Sequence, residues 1–164
     1  METTLTEADL LPLAAEAVGH LKATGRTVAV AESCTGGLVS HLLTSVPGSS
    51  DVFRLGVVAY ANDVKTALLG VSEEILSRFG AVSEPVAEAM ARGALAAGRT
   101  DLAAATTGIA GPTGGTPDKP VGTVCFSMGS DAGYVTLRQH FAGSRSEVKL
   151  QAARQVLTWL KEAT

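Results

Sequence analysis

The stretch that most constrains the fold is residues 28–37, which read VAVAESCTGG. A short apolar, β-branched run ends in a polar cluster, and two glycines lead straight into the apolar segment 38–43. This order is typical of a buried strand, a tight turn and the start of a helix. The turn would expose the hydroxyl of Ser33 and leave backbone N–H groups near residues 35–38 free to hold an anion. Most turns of this kind bind nothing, so the stretch alone is only a candidate site.

Length and composition indicate one globular domain. Of the 164 residues, 46% are hydrophobic and 18% are charged, which is enough to bury a core and does not indicate disorder. The formal net charge of −3 argues against a nucleic-acid binder that works through a broad basic surface. There is no apolar run near the roughly 18 residues that a membrane span needs, and the first residues lack a signal-peptide pattern. We therefore expect a single cytoplasmic domain over residues 1–164, with neither nucleic acid nor a membrane as partner.

Helical and strand patterns interleave along the chain. Thr6 and Asp9 have the spacing of a capping box, and apolar residues then recur at helical spacing between residues 10 and 21. The sequence SEP at 83–85 is a strong helix start. Five strands are predicted, at 28–31, 53–60, 102–107, 124–128 and 134–140. We expect an α/β single-domain layered sandwich with a mixed β-sheet flanked by helices. The fifteen-residue segment 108–122 is long for a loop without a function.

Polar residues collect where the first three predicted strands end and where the last helix begins. They are Glu32, Ser33 and Thr35, then Tyr60, Asn62 and Lys65, then Thr106 and Thr107, and finally Arg145. Because ligands of layered α/β sheets bind where strand ends meet, these side chains are candidates for one pocket. On sequence alone, it is equally plausible that each residue caps a helix or solvates a turn. The pair Asn62 and Asp63 in particular is expected to cap a short helix.

Several familiar site signatures are absent from the sequence. The glycine-rich segments match neither a P-loop nor the dinucleotide-binding fingerprint, and Ser33 does not lie in a GxSxG elbow. The three histidines are scattered, and Cys34 and Cys125 lie far apart without zinc-ligand spacing. The sequence therefore predicts reduced thiols and no metal site.

Four segments resemble the CinA C-terminal family, whose enzymes are nicotinamide-nucleotide amidases. They read AESCTGG at 31–37, YANDVK at 60–65, GAVSEP at 80–85 and TGIAGP at 107–112. The match continues through 114–123 and 143–145, so it follows nearly the whole chain in order. Two-domain relatives carry an additional N-terminal nucleotide-hydrolase domain. Nothing in this sequence corresponds to that domain, so the resemblance implies a stand-alone amidase.

The resemblance implies hydrolysis of the carboxamide of nicotinamide mononucleotide, giving nicotinate mononucleotide and ammonia without a metal or other cofactor. By motif, Ser33 is the nucleophile, Lys65 is the base, and Tyr60 orients the base or relays its proton. A lysine acts as a base only when neutral, so its pKa of about 10.4 has to fall by roughly 3 units for half-deprotonation near pH 7. Burial and a nearby cation lower a lysine pKa in this way.

The resemblance also implies where the substrate binds. The expected binding residues are Glu32, Thr35, Gly36, Gly37, Asn62, Thr107, Gly108, Gly111 and Arg145. Backbone N–H groups at 35–37 are the expected oxyanion hole, and the 107–115 loop with Arg145 is expected at the ribose-phosphate end. A homodimer or higher homo-oligomer is the expected assembly. Ser144 stands where relatives commonly carry an acid, which leaves open how Arg145 is held.

Three alternatives remain open on the sequence alone. Cys34 is a second candidate nucleophile, because it lies beside a predicted helix start that can lower a thiol pKa. The chain could instead be a non-catalytic nucleotide-binding or competence-related interaction module. A phosphatase or pyrophosphatase is the third alternative, but it would ordinarily need a carboxylate-bound metal, and the sequence has no clear acidic cluster for one.

Overall fold

Five strands form one mixed sheet in the computed structural model, which describes residues 4–164. The strands are β1 (Val28–Glu32), β2 (Phe53–Val58), β3 (Leu102–Gly108), β4 (Thr123–Ser130) and β5 (Gly133–His140). Their order across the sheet is β2-β1-β3-β4-β5. β1 pairs in parallel with β2 and β3, whereas β4 is antiparallel to both of its neighbours. The predicted α/β fold with a mixed sheet is confirmed.

Within residues 4–164, six α-helices flank the sheet. They are α1 (Glu7–Thr24), α2 (Leu38–Thr44), α3 (Asn62–Leu69), α4 (Glu73–Phe79), α5 (Glu84–Gly98) and α6 (Arg145–Glu162). α1, α2 and α6 pack on one face of the sheet, and α3, α4 and α5 pack on the other. No helix within residues 4–164 is long and apolar enough to cross a membrane. Residues 1–3, part of the stretch in which no signal-peptide pattern is expected, lie outside the described range.

Side chains of β1 alternate between the two faces of the sheet, with larger residues on one face and smaller ones on the other. Val28 and Val30 point into the core under α1, α2 and α6, whereas Ala29 and Ala31 point towards α5. The small alanine face lets α5 approach closely, and a Cβ on Gly98 would lie only 3.0 Å from the Cβ of Ala29. The alanine and glycine content of the chain is therefore used for close helix–sheet packing.

Local capping chemistry fixes most helix ends. Thr6 and Asp9 form a reciprocal capping box at the start of α1, and the Ser83 hydroxyl accepts from an N–H in the first turn of α5. Both predicted starts are confirmed. The expected cap at Asn62 and Asp63 is wrong, because Ala61 is the N-cap of α3 and no side chain within residues 4–164 caps that helix.

Candidate active site

The site lies at the carboxyl ends of β1, β2 and β3, which meet at one edge because the three strands are parallel. Ser33 follows β1 directly, and Lys65 lies on the first turns of α3, after β2. The Nζ atom of Lys65 is 3.1 Å from the Oγ atom of Ser33 and donates to the main-chain carbonyl of Tyr60 at 2.8 Å. The fold thus brings together a hydroxyl and an amine that are 32 residues apart in sequence.

Lys65 is buried without an acidic partner. Its side chain is 1% exposed, and none of the ion pairs found within residues 4–164 involves it. Burial lowers the pKa of Lys65, and the neighbouring Cys34 thiol opposes that shift to a smaller extent. The direction of this shift favours the neutral amine, which is the form that can accept a proton from Ser33.

The turn after Ser33 depends on two glycines with positive φ, 60° at Gly36 and 98° at Gly37. The Gly36 N–H donates to the carbonyl of Ser33, so it is not free to contact an oxyanion. Thr35 is fully buried, whereas Gly37 is partly exposed and its N–H has no acceptor among the residues the structure describes. Of the three N–H groups at 35–37, that of Gly37 therefore combines partial exposure with no acceptor in the described part of the chain.

Three expected binding residues point into the protein. Glu32 and Thr35 are fully buried, and the Thr35 hydroxyl donates to the Glu32 carboxylate at 2.6 Å. Thr107 is 1% exposed and donates to the carbonyl of Ala81 at 2.8 Å. In the folded chain these polar atoms are therefore already paired with protein groups.

Arg145 joins the start of α6 to two other parts of the site. Its guanidinium donates to the Tyr60 hydroxyl at 3.0 Å and to the carbonyl of Gly111 at 2.7 Å. The 108–122 loop, the segment after β2 and the start of α6 therefore meet at Arg145. Tyr60 contacts Lys65 through its main-chain carbonyl, whereas its exposed phenol contacts Arg145.

The remaining expected residues have different surroundings. Asn62 is exposed at the start of α3. Gly108 ends β3, where a Cβ would lie 2.8 Å from the carbonyl oxygen of Thr123, so glycine is needed for strand packing. Lys149, which the residue patterns did not single out, lies with its Nζ atom 3.6 Å from the position of a Cβ on Gly36. Its spacing of four residues from Arg145 on α6 was the available signal, because such residues share one helix face.

The alternative nucleophile has unfavourable chemistry. Cys34 is 4% exposed, and burial raises the pKa of its thiol to about 12. A thiol with that pKa carries almost no thiolate at neutral pH. For a metal, no group of three potential His, Cys, Asp or Glu ligands occurs in the described part of the chain.

Three comparisons with known proteins find relatives of this chain. A family model described as the CinA C-terminal domain matches residues 10–164. The nicotinamide-nucleotide amidohydrolase PncC of Escherichia coli (strain K12) is 46% identical over 157 residues, which cover 95% of each chain. The crystal structure of the competence/damage inducible protein CihA from Agrobacterium tumefaciens superposes with a TM-score of 0.90 at 40% identity, covering 98% of this chain and 97% of that one.

Some relatives are longer proteins, and the chain matches only part of their length. A CinA-like protein from Anaeromyxobacter dehalogenans is 52% identical over 146 residues, which are 89% of this chain but 36% of that protein. The chain thus spans a little over a third of the length of this relative.

Proposed function

Because the chain belongs to the CinA C-terminal domain family, we propose that it is an amidase that hydrolyses nicotinamide mononucleotide to nicotinate mononucleotide and ammonia. The observation that carries this proposal is the 3.1 Å contact between the Ser33 hydroxyl and the buried Lys65 amine. The activity named for the E. coli relative supports the substrate. The resemblance read from the sequence motifs is thereby confirmed at the level of the family.

In the proposed first step, neutral Lys65 accepts the proton of the Ser33 hydroxyl while the serine oxygen attacks the carboxamide carbon. A neutral amine has two protons and one lone pair. Donation of one proton to the Tyr60 carbonyl at 2.8 Å restricts the amine, which leaves its lone pair available to Ser33. The Gly37 N–H is the donor that we assign to the negative charge on the tetrahedral oxygen.

Collapse of that intermediate breaks the C–N bond. The lysine ammonium returns its proton to the departing nitrogen, which leaves as ammonia, and an ester between Ser33 and the nicotinoyl group remains. A water molecule then attacks the ester carbonyl, with Lys65 again accepting the proton. Release of the carboxylate product regenerates the Ser33 hydroxyl. Each step uses only the Ser33–Lys65 pair and backbone donors.

Two cations suit the phosphate end of the substrate. Arg145 and Lys149 lie one helical turn apart near the Ser33 turn, and neither is in an ion pair found within residues 4–164. A chain with a net charge of −3 that leaves two cations unpaired beside a nucleophile can bind an anionic group there. The cytoplasmic location and the homo-oligomeric assembly stay predictions.

The test is ammonia release from nicotinamide mononucleotide without added metal, for the wild type and for Ser33→Ala. We expect turnover by the wild type and a loss of roughly 10⁴-fold or more in the variant. Ser45→Ala is a matched control, because its exposed hydroxyl only donates to the carbonyl of His41 at 2.7 Å. Near-normal turnover by Ser33→Ala would refute the assignment of the nucleophile. Binding without turnover by the wild type would favour the non-catalytic module.

A further inference from the structure

A buried carboxylate lies one residue before the nucleophile and takes no part in the steps above. Glu32 is fully buried, and its two oxygens accept four hydrogen bonds. One oxygen accepts from the Thr35 hydroxyl at 2.6 Å and the Val39 N–H at 2.9 Å. The other accepts from the N–H of Ser40 at 3.0 Å and from its hydroxyl at 2.7 Å. All four donors belong to the turn after Ser33 or to the first turn of α2.

The carboxylate supplies the cap that α2 lacks. Its N-cap residue is Gly37, which has no side chain, so the N–H groups of Val39 and Ser40 have no acceptor of their own. Glu32 provides both acceptors from the end of β1. A single side chain therefore joins the strand before the nucleophile to the helix after it.

The same network extends to the neighbouring strands. The hydroxyls of Thr35 and Thr106 lie 2.8 Å apart, and the Ser33 N–H donates to the Thr106 carbonyl at 3.0 Å, which ties the turn to β3. On the other side, a Cβ on Gly56 would collide with the Ser40 hydroxyl, so β2 packs directly against that serine. β2 leads to α3, which carries Lys65. The network therefore connects the elements that position Ser33 and Lys65.

From this network we infer that Glu32 is a positioning residue for the nucleophile. Its carboxylate fixes the turn so that the Ser33 hydroxyl stays opposite the Lys65 amine and the Gly37 N–H stays free. The inference rests on the proposed function for its reaction, but its structural basis is the four hydrogen bonds. It assigns to Glu32 a role other than the substrate contact that the sequence suggested.

The decisive variant is Glu32→Gln, which keeps the shape of the side chain but replaces one acceptor oxygen by an amide NH₂. An N–H of α2 then faces a donor, and the turn shifts. We expect kcat for nicotinamide mononucleotide to fall about 10- to 100-fold, because small displacements of a reacting group cost this much. KM should stay within about two-fold, and the midpoint of the rising limb of the pH–rate profile within about 0.3 units, because Glu32 contacts neither of the cations assigned to the phosphate nor Lys65 itself. Glu16→Gln is the matched control, since that exposed carboxylate only pairs with Lys161 at 2.9 Å.

Other outcomes would overturn the inference. A raised KM with unchanged kcat would make Glu32 a substrate contact. A wild-type kcat per folded molecule would make it a purely structural residue. If Glu32→Gln does not fold, Ser40→Ala decides, since it removes one of the four bonds. A fall in kcat of about three-fold or more at constant KM supports positioning, and a wild-type kcat overturns it.

A second readout separates this inference from the proposed substrate. Sulfonylation of Ser33 by phenylmethylsulfonyl fluoride, followed by mass spectrometry, measures the reactivity of the hydroxyl without nicotinamide mononucleotide. We expect Glu32→Gln to slow this labelling by a factor similar to its loss of kcat. A wild type that is labelled but releases no ammonia would refute the proposed substrate only. Equal labelling rates in the wild type and Glu32→Gln would overturn the positioning role.

Discussion

Replacing Lys65 by methionine separates the effect of the buried amine on the reaction rate from its effect on the stability of the fold. Methionine is unbranched and of similar length, so it fills the buried space while removing the amine that contacts Ser33 and the Tyr60 carbonyl. A general base is worth about 10²- to 10⁴-fold in rate, and no other titratable group within residues 4–164 is hydrogen-bonded to the Ser33 hydroxyl. We therefore expect kcat to fall about 10³-fold or more.

The free energy of unfolding of Lys65→Met should stay close to or above that of the wild type, although the activity falls. Burial lowers the pKa of Lys65, so the unfolded chain binds this proton more tightly than the folded protein. Burying the amine therefore opposes folding, and this penalty is relieved as the pH rises from the folded-state pKa towards about 10.4. Methionine removes the penalty but leaves the Tyr60 carbonyl without that donor, at a cost of about 1 kcal/mol. The free energy of unfolding at pH 7 should exceed that of the wild type or lie at most about 1 kcal/mol below it.

Ammonia release and urea unfolding followed by the fluorescence of Trp159 measure the two effects. Lys161→Met is the matched control, because it makes the same change at an exposed amine and should retain the wild-type kcat. Retention of more than about a tenth of the wild-type kcat by Lys65→Met would show that Lys65 is not the base, because a lost base costs at least about 10²-fold. A loss of more than about 3 kcal/mol in stability would show that the buried amine stabilises the fold, contrary to the direction of its pKa.

Three further predictions follow from the same geometry. The pH profile of kcat/KM should rise with a midpoint below about 10.4, because burial lowers the pKa of Lys65 and only the neutral amine accepts the proton of Ser33; a midpoint at or above that value would contradict the base. Lys149→Met should raise KM for nicotinamide mononucleotide about 10-fold while changing kcat/KM for nicotinamide riboside, which lacks the phosphate, less than about two-fold. Equal losses on both substrates would argue against a phosphate contact. Iodoacetamide at pH 8 should neither label Cys34 nor inactivate the enzyme, because burial raises the pKa of that thiol to about 12; labelling with loss of activity would favour the cysteine.

Most features decided within a few residues were predicted correctly from the sequence, although the side-chain cap of α3 was not. The strand–turn–helix order around Ser33 follows from a β-branched run and two adjacent glycines, and the structure has β1, the turn and α2 there. The starts of α1 and α5 follow from hydroxyl side chains placed before helical segments. The alternation of helices and strands was sufficient to indicate a mixed α/β sheet.

Pairings between distant polar groups were decided only by the tertiary structure. Glu32 and Thr35 looked like binding residues, but the fold directs their oxygens to N–H and hydroxyl groups of the turn, α2 and β3. Lys149 was not singled out from the residue patterns, because its proximity to Gly36 depends on how α6 lies over the sheet.

The family motifs pointed to Ser33 and Lys65, but only the folded structure gives the distance between the Ser33 hydroxyl and the Lys65 amine. By itself the sequence determined the order of elements and the turn that presents Ser33, because these depend on local backbone preferences and side-chain periodicity. The tertiary structure decided which polar atoms stay free for a ligand and which pair with buried donors. These pairings join residues up to 85 positions apart, such as Arg145 and Tyr60. Burial then determines the outcome, since a polar atom inside the protein has to find a partner there, whereas the same atom at the surface is free to bind a ligand.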